Sequence, residues 1–220
     1  DGSVETESKN FALLRRRRVD GVIASLVAED SPYVKETILS LRAPLVLLDR
    51  DVKGLNASAV ITDHAIGVKA ATKHLIEAGH RDIAFISGAA NVYTTRNRIK
   101  GFSEAFSESG VALPEKLIAL GGFDAEYALI HARHFLLKNP RPTAFVAGGI
   151  GSTAGVVRAF NEMNLKIGDD IALVALDEWP LFDVFATEIS SVYRDPEAIG
   201  SEAAHLILEV LNGNEPRESV

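Results

Sequence analysis

Short runs of Val, Ile, Leu and Ala recur along this 220-residue chain, apolar at every position rather than at alternate ones. Longer stretches at helical period separate them. A strand that is apolar on both faces must be covered on both faces, a condition met when helices flank a parallel sheet. The periodicity predicts strands over Asp20–Leu26, Pro44–Leu48, Ala59–Thr62, Asp82–Ser87, Leu117–Leu120, Thr143–Ala147, Ile171–Leu176 and Ser190–Val192. It predicts helices over Glu5–Arg17, Pro32–Leu41, Gly67–Ala78, Thr95–Ser109, Ala125–Lys138, Ser152–Asn164 and Pro196–Leu211. This cadence specifies an α/β protein with doubly wound parallel sheets.

The punctuation agrees. Ser31-Pro32 and Asp195-Pro196 each offer an N-cap followed by proline in the first helical turn. Gly79, Gly110 and Gly213 follow predicted helices, where a left-handed residue ends the ladder. The chain is long enough for one large domain or two small ones, and no long linker divides it. Without cysteine it forms neither disulfides nor thiolate metal sites. No apolar run reaches bilayer length, so no membrane partner is expected, and the lack of cysteine is compatible with the cytoplasmic location expected of this chain. The formal charge of −7 and the lack of a broad basic face argue against nucleic-acid binding by this segment alone. Arg15–Arg18 can be read as a nucleic-acid patch, but they close a predicted helix, where cations offset the dipole, and that helix-end reading is preferred.

In a parallel sheet the residues just past the strand ends gather along one edge, where ligands of open α/β folds bind. Here that set comprises Asp49-Arg50, Asp63, the Gly88–Arg98 loop, Gly122-Phe123-Asp124, Gly148–Gly151 and Asp177-Glu178-Trp179. Carboxylates and guanidinium groups bond hydroxyls in pairs, and an aromatic face covers the C–H side of a sugar or stacks on a base. Candidate binding residues are therefore Arg98, Asp177, Phe123, Arg96, Asp63 and Trp179. Four have a stated structural alternative: a salt-bridged helix arginine for Arg98, a turn cap for Asp177, core packing for Phe123, loop packing for Trp179.

One motif points elsewhere. Gly149-Ile150-Gly151-Ser152-Thr153-Ala154 fits G-x-G-x-x-A between a predicted strand and helix, and Asp177 ends the next strand. That acid stands somewhat farther on than the usual spacing of about 20 residues in dinucleotide-binding units. No G-x-S-x-G elbow and no H-E-x-x-H motif occur, and His131 and His134 have no third ligand in view. Nothing demands an enzyme, a metal or a cofactor.

The order of several blocks resembles the effector-binding core of the lac repressor/gal repressor family of bacterial transcriptional regulators. These are Arg18-Val19-Asp20-Gly21-Val22-Ile23; Ala43-Pro44 through Leu48-Asp49-Arg50; Val60-Ile61-Thr62-Asp63 with Gly67; His74-Leu75-Ile76 through Gly79-His80-Arg81 to Gly88; and Arg98-x-x-Gly101-Phe102. Later come Arg141-Pro142-Thr143-Ala144, Gly168-Asp169-Asp170-Ile171 to Asp177, and Glu188-Ile189-Ser190-Ser191-Val192.

The resemblance implies a periplasmic-binding-protein-like pair of α/β lobes joined by three crossings, with effector in the cleft. It assigns residues 1–61 and 194–213 to one lobe, and 62–193 with 214–220 to the other. It also implies that a helix-turn-helix, a hinge, and the first strand and helix of the first lobe lie outside this chain, which stops short of the usual last strand. Arg98 and Asp177 would contact effector and Phe123 would line its pocket.

Two departures stand out. Gly148-Gly149 replaces the usual Asn-Asp pair, and Ala175-Leu176 stands where Gly-Phe or Gly-Tyr is common. The expected function is an effector-binding and dimerisation core. It would bind a small polar metabolite, a sugar by preference, and control operator DNA through a domain not in this chain, as a homodimer. The alternatives are a transport-system sugar-binding protein and a nucleotide-dependent enzyme built on Gly149–Ala154.

Overall fold

The computed structural model describes residues 3–177 and 189–220. In chain order the elements begin α1 (Val4–Arg17), β1 (Val22–Ala24), α2 (Pro32–Leu39), β2 (Leu45–Leu48), β3 (Ser58–Val60), α3 (His64–Glu77), β4 (Ile83–Gly88) and α4 (Tyr93–Glu108). They continue β5 (Ile118–Gly121), α5 (Ala125–Leu136), β6 (Ala144–Ala147), α6 (Ile150–Glu162), β7 (Ala172–Ala175), β8 (Ser190–Ser191), α7 (Pro196–Leu211) and β9 (Glu218–Ser219). Two compact units result. The first comprises Asp1–Asp63, Asn91–Thr94 and Asp195–Val220; the second comprises His64–Ala90 and Thr95–Arg194.

The first unit holds a parallel sheet in the order β1-β2-β3-β9. β2 shows why its run is apolar throughout. Leu45 and Leu47 pack with Phe11, Val34 and Ile38 of α1 and α2, while Val46 packs with Ala203 and Leu206 of α7. The predicted caps form: Ser31 Oγ accepts the Val34 N–H at 3.4 Å, and Asp195 Oδ1 accepts those of Glu197 and Ala198 at 3.0 and 2.9 Å. Residues 214–220 correct an expectation. They were assigned to the second lobe, yet Glu218–Ser219 extends this first sheet, with the Ile61 N–H bonded to the Ser219 carbonyl at 2.8 Å. The polar stretch Glu215-Pro216-Arg217-Glu218-Ser219 has no apolar run, so periodicity does not mark it as a strand.

The second unit is a parallel sheet in the order β5-β4-β6-β7-β8. All six residues of β4 are buried and serve alternate layers. Ala84 and Ile86 join Leu129, Phe145 and Phe160 on the α5–α6 side. Ile83 and Phe85 join Leu75, Phe102 and Phe106 on the α3–α4 side. Phe85, Phe102 and Phe106 form a tilted stack with centroids 4.8 and 5.0 Å apart. Each fully buried Phe contributes on the order of 1.5–3 kcal/mol. The predicted α/β class with parallel sheets is thus what these residues build.

Glycines set how closely the helices of this unit approach. A Cβ on Gly101 would lie 2.2 Å from the Ala65 carbonyl oxygen, so the glycine of Arg98-x-x-Gly101 lets α4 touch the start of α3. Gly151 and Gly155, one turn apart on α6, do the same against the carbonyls of Phe123 and Ala125, at 2.1 and 2.2 Å. The second glycine of the G-x-G-x-x-A pattern is therefore part of a helix-packing seam.

Candidate functional site

β4 leads to β5 on one side, and the chain then returns across it to β6 on the other. The reversal makes the strand ends between β4 and β6 the switch point of the sheet, the place where open α/β sheets receive ligands. Ser87 and Gly88 end β4, and Gly148-Gly149 follow β6. The Gly148 N–H is bonded to the Ile86 carbonyl at 2.7 Å. A side chain on Gly148 would collide with Ser87, its Cβ 2.3 Å from Oγ. Gly149 has φ +121°, and a Cβ there would sit 3.6 Å from Asp177 Oδ2 and 3.8 Å from Arg98 Nη1.

Arg98 lies on α4 and is 4% exposed. Its Nη1 donates to the Gly148 carbonyl at 3.0 Å. Its Nη2 donates to Asp177 Oδ2 at 3.0 Å and to the Leu176 carbonyl at 3.4 Å. The same guanidinium thus ties the ends of β6 and β7 together. Asp177 has a second cation: Arg194 Nε donates to Oδ1 at 2.7 Å. Each carboxylate oxygen therefore meets a different arginine. Such charge-assisted bonds are roughly twice as strong as neutral ones.

Phe123, just past β5, is 39% exposed, and its ring lies over Gly88. A Cβ on Gly88 would fall 2.0–2.4 Å from three of its ring carbons. Ser87 Oγ at the end of β4 and Ser152 Oγ in the first turn of α6 are buried and have no hydrogen-bond partner. The N-cap of α6 is Gly149, which offers no side-chain bond, whereas Ser3, Ser31, Asp124 and Asp195 cap other helices. The edge thus presents an arginine–carboxylate–arginine cluster, an aromatic ring, and glycines at positions 88, 148 and 149 that add no side chain of their own.

The six candidates fare differently. The structure brings Arg98 and Asp177 into contact and sets Phe123 at the same edge of the second unit. Arg96 is exposed on α4, and Asp63 is exposed in the first unit. Trp179 lies outside the described residues. Arg194 escaped sequence reading, although it stands just beyond β8 and the strand-end rule reaches it.

The first unit has its own polar cluster where its strands end. Glu29 Oε1 accepts the Tyr93 N–H at 2.8 Å and lies 3.6 Å from Arg50 Nε. Arg50 also donates to the carbonyls of Leu26 and Asp49, and Asp49 Oδ1 accepts the Thr62 N–H at 2.7 Å. Burial lowers the pKa of Arg50, while Glu29 beside it acts in the opposite sense. Glu7 bonds the Val27 N–H at 2.8 Å through Oε1, and burial holds its carboxyl above the usual range. A separate cavity of about 630 Å³ is lined by Pro44, Ala57 and Pro216, where the strands of the first unit begin rather than end.

Residues 72–220 match the family model for the periplasmic binding protein-like domain. The chain belongs to that family. Among its relatives is the ribose operon repressor of Haemophilus influenzae, 29% identical over 215 residues, covering 97% of this chain and 64% of the repressor. A solved complex of the transcriptional regulator CelR with cellobiose is 25% identical, with a TM-score of 0.87 over 98% of this chain and 67% of that one. A regulatory protein of the LacI family from Chloroflexus aggregans is 26% identical, with a TM-score of 0.81 over 97% of this chain and 78% of its own.

The resemblance to lac repressor/gal repressor regulators holds, and the periplasmic-binding-protein-like fold is the one expected. These relatives are regulators rather than enzymes. The chain spans just under two thirds of the length of the curated relatives it matches. Among the described residues, no helix is long and apolar enough to cross a membrane, and no group of three acids or histidines is placed to hold a metal.

Proposed function

We propose that this periplasmic-binding-protein-like domain is the effector-binding core of a transcriptional regulator, with a sugar or related polyol as effector. The observation that carries the reading is the Arg98–Asp177–Arg194 cluster beside the Phe123 ring at the strand-end edge. Sugar hydroxyls both donate and accept, so they bond carboxylate and guanidinium groups side by side, and a sugar's C–H face covers an aromatic ring. A relative named for the ribose operon and one solved with cellobiose support this class of ligand. The same relatives favour a regulator over a transport-system binding protein and over a nucleotide-dependent enzyme. Gly151, which the nucleotide reading would use, serves helix packing.

As a regulator's core, the domain works by linkage. An effector that binds one conformation of a homodimer better than another shifts the population, and a DNA-binding domain outside this chain reads the shift at its operator. Calorimetric titration with pentoses, hexoses, cellobiose and nucleosides tests the ligand class. Phe123→Ala and Arg194→Gln are expected to weaken sugar binding by on the order of tenfold each, with thermal melts to check that each variant is folded. Arg96→Ala and Asp63→Ala test the two exposed candidates in the same assay. If no sugar binds, or if both principal variants bind it as the parent does, the assignment is wrong.

A further inference from the structure

The C-terminal ends of α1 and α2 bring five arginines together in the first unit. Arg15, Arg16, Arg17 and Arg18 close α1, Arg42 follows α2, and all five are exposed. Arg15, Arg18 and Arg42 line one open cavity of about 790 Å³ with Asp20, Leu39 and Leu41. Among the described residues none of the five pairs with a carboxylate; Arg15 Nη1 reaches only the Ser40 hydroxyl, at 3.4 Å.

The helix dipole explains part of this charge. A cation in the last turn stabilises a helix by about 0.3–1 kcal/mol, whereas like charges three or four residues apart destabilise by a few tenths. One or two arginines meet that need. Backbone geometry gives an independent sign. Arg18 and Arg42 have φ of 52° and 56°, in the left-handed region that costs an ordinary L-residue roughly 1–2 kcal/mol. After α3, α4 and α7 the chain places Gly79, Gly110 and Gly213 in that region, and after α6 it places Asn164. At the two positions lining this cavity it keeps arginine.

We infer that this cluster is a contact surface for the phosphate backbone of double-stranded DNA. The guanidinium fork matches phosphate in a way a lone ammonium does not. The cavity has no aromatic ring to stack on a base, so its contacts position a duplex without reading sequence. The rest of this acidic chain repels DNA, but that repulsion is screened beyond about 10 Å at 0.1 M salt. Contact is therefore local, and weak unless another element already holds the duplex. The choice of DNA among polyanions rests on the proposed regulator role; the cluster itself does not.

The probe is a fluorescein-labelled random-sequence duplex titrated with the 220-residue chain and followed by anisotropy from about 20 mM salt upward. Binding independent of sequence is expected, with log affinity falling by about 0.9 per phosphate contact for each unit of log salt. Arg15→Gln/Arg18→Gln/Arg42→Gln should weaken it at least tenfold at the lowest salt and flatten the slope by about 0.9 for each contact removed. Arg133→Gln/Arg158→Gln, at arginines paired with Glu162 and Glu126, should change neither. Thermal melts check that each variant is folded. No binding at the lowest salt, equal loss in both variants, or polyglutamate of matching charge binding as tightly would each overturn the inference. A failed sugar titration leaves this result as it stands, so the two readings fail separately.

Discussion

Glu7 carries a carboxyl into the interior with Oε1 bonded to the Val27 N–H, and the Ala28 backbone N–H and the Arg50 guanidinium also favour its charged form. Burial raises its pKa in the folded state above the ordinary glutamate value. The sign follows from linkage. Below the unfolded pKa both states hold the proton and Glu7 has no charge to bury. As pH rises past that value the unfolded state ionises first, so folding loses stability until the folded group ionises too. Glu7→Gln keeps an oxygen for Val27 and removes the charge. It is expected to raise stability at pH 7 and to flatten the decline that sets in as pH rises above the ordinary glutamate pKa. Urea unfolding at several pH values measures both, and a variant less stable than its parent at pH 7 would refute the account.

At this scale the sequence was partly legible. Arg98 and Asp177 each stand out as polar residues at a strand-end edge, but their pairing spans 79 residues and no local pattern announces it. Arg98 is both things weighed for it: a salt-bridged helix residue, and a member of the candidate site. Glu7 had a usable signal, since it lies one turn before Phe11 on the buried face of α1.

Among the elements, α6 shows how one pattern admits two readings. Glycines at the start of a helix serve a phosphate when they open the backbone to a ligand, and serve packing when they open it to another helix. Gly151 and Gly155 face the carbonyls of Phe123 and Ala125, so the second use applies. Short spacing in sequence does not separate the two, because the deciding neighbour comes from α5. Identical substitutions should then act in opposite directions. Gly155→Ala places a methyl 2.2 Å from a backbone oxygen and is expected to cost about 1–3 kcal/mol. Gly200→Ala, in the interior of α7 with nothing within 4 Å, should stabilise by about 0.5–1 kcal/mol. Thermal melts decide, and equal shifts for the two would refute the seam.

At the level of the molecule, each unit has its own core, but the cores differ in depth. The second sheet has five strands with large clusters on both faces; in the first, among the described residues, the α7 face buries Val46 and Val60 with Ala203 and Leu206, and Leu48, Ile199 and Ile207 are partly buried against them. Native-state hydrogen exchange should find the slowest amides in β4 and β6, with those of β1 to β3 roughly tenfold faster or more. The reverse order would refute this ranking. The parallel α/β plan was readable from apolar runs because a doubly covered strand has no polar face to show. β9 was not, because a short edge strand needs only backbone bonds, and those leave no trace in composition.

In the proposed effector site, the two arginines on Asp177 also bear on affinity. A carboxylate held at both oxygens has already given up its rotamer freedom during folding, together with Arg98. An arriving ligand orders nothing further there, and at about 0.5–1.5 kcal/mol per immobilised side chain the saving is comparable to a hydrogen bond. The site's rigidity is therefore a standing contribution to binding, made before any ligand arrives.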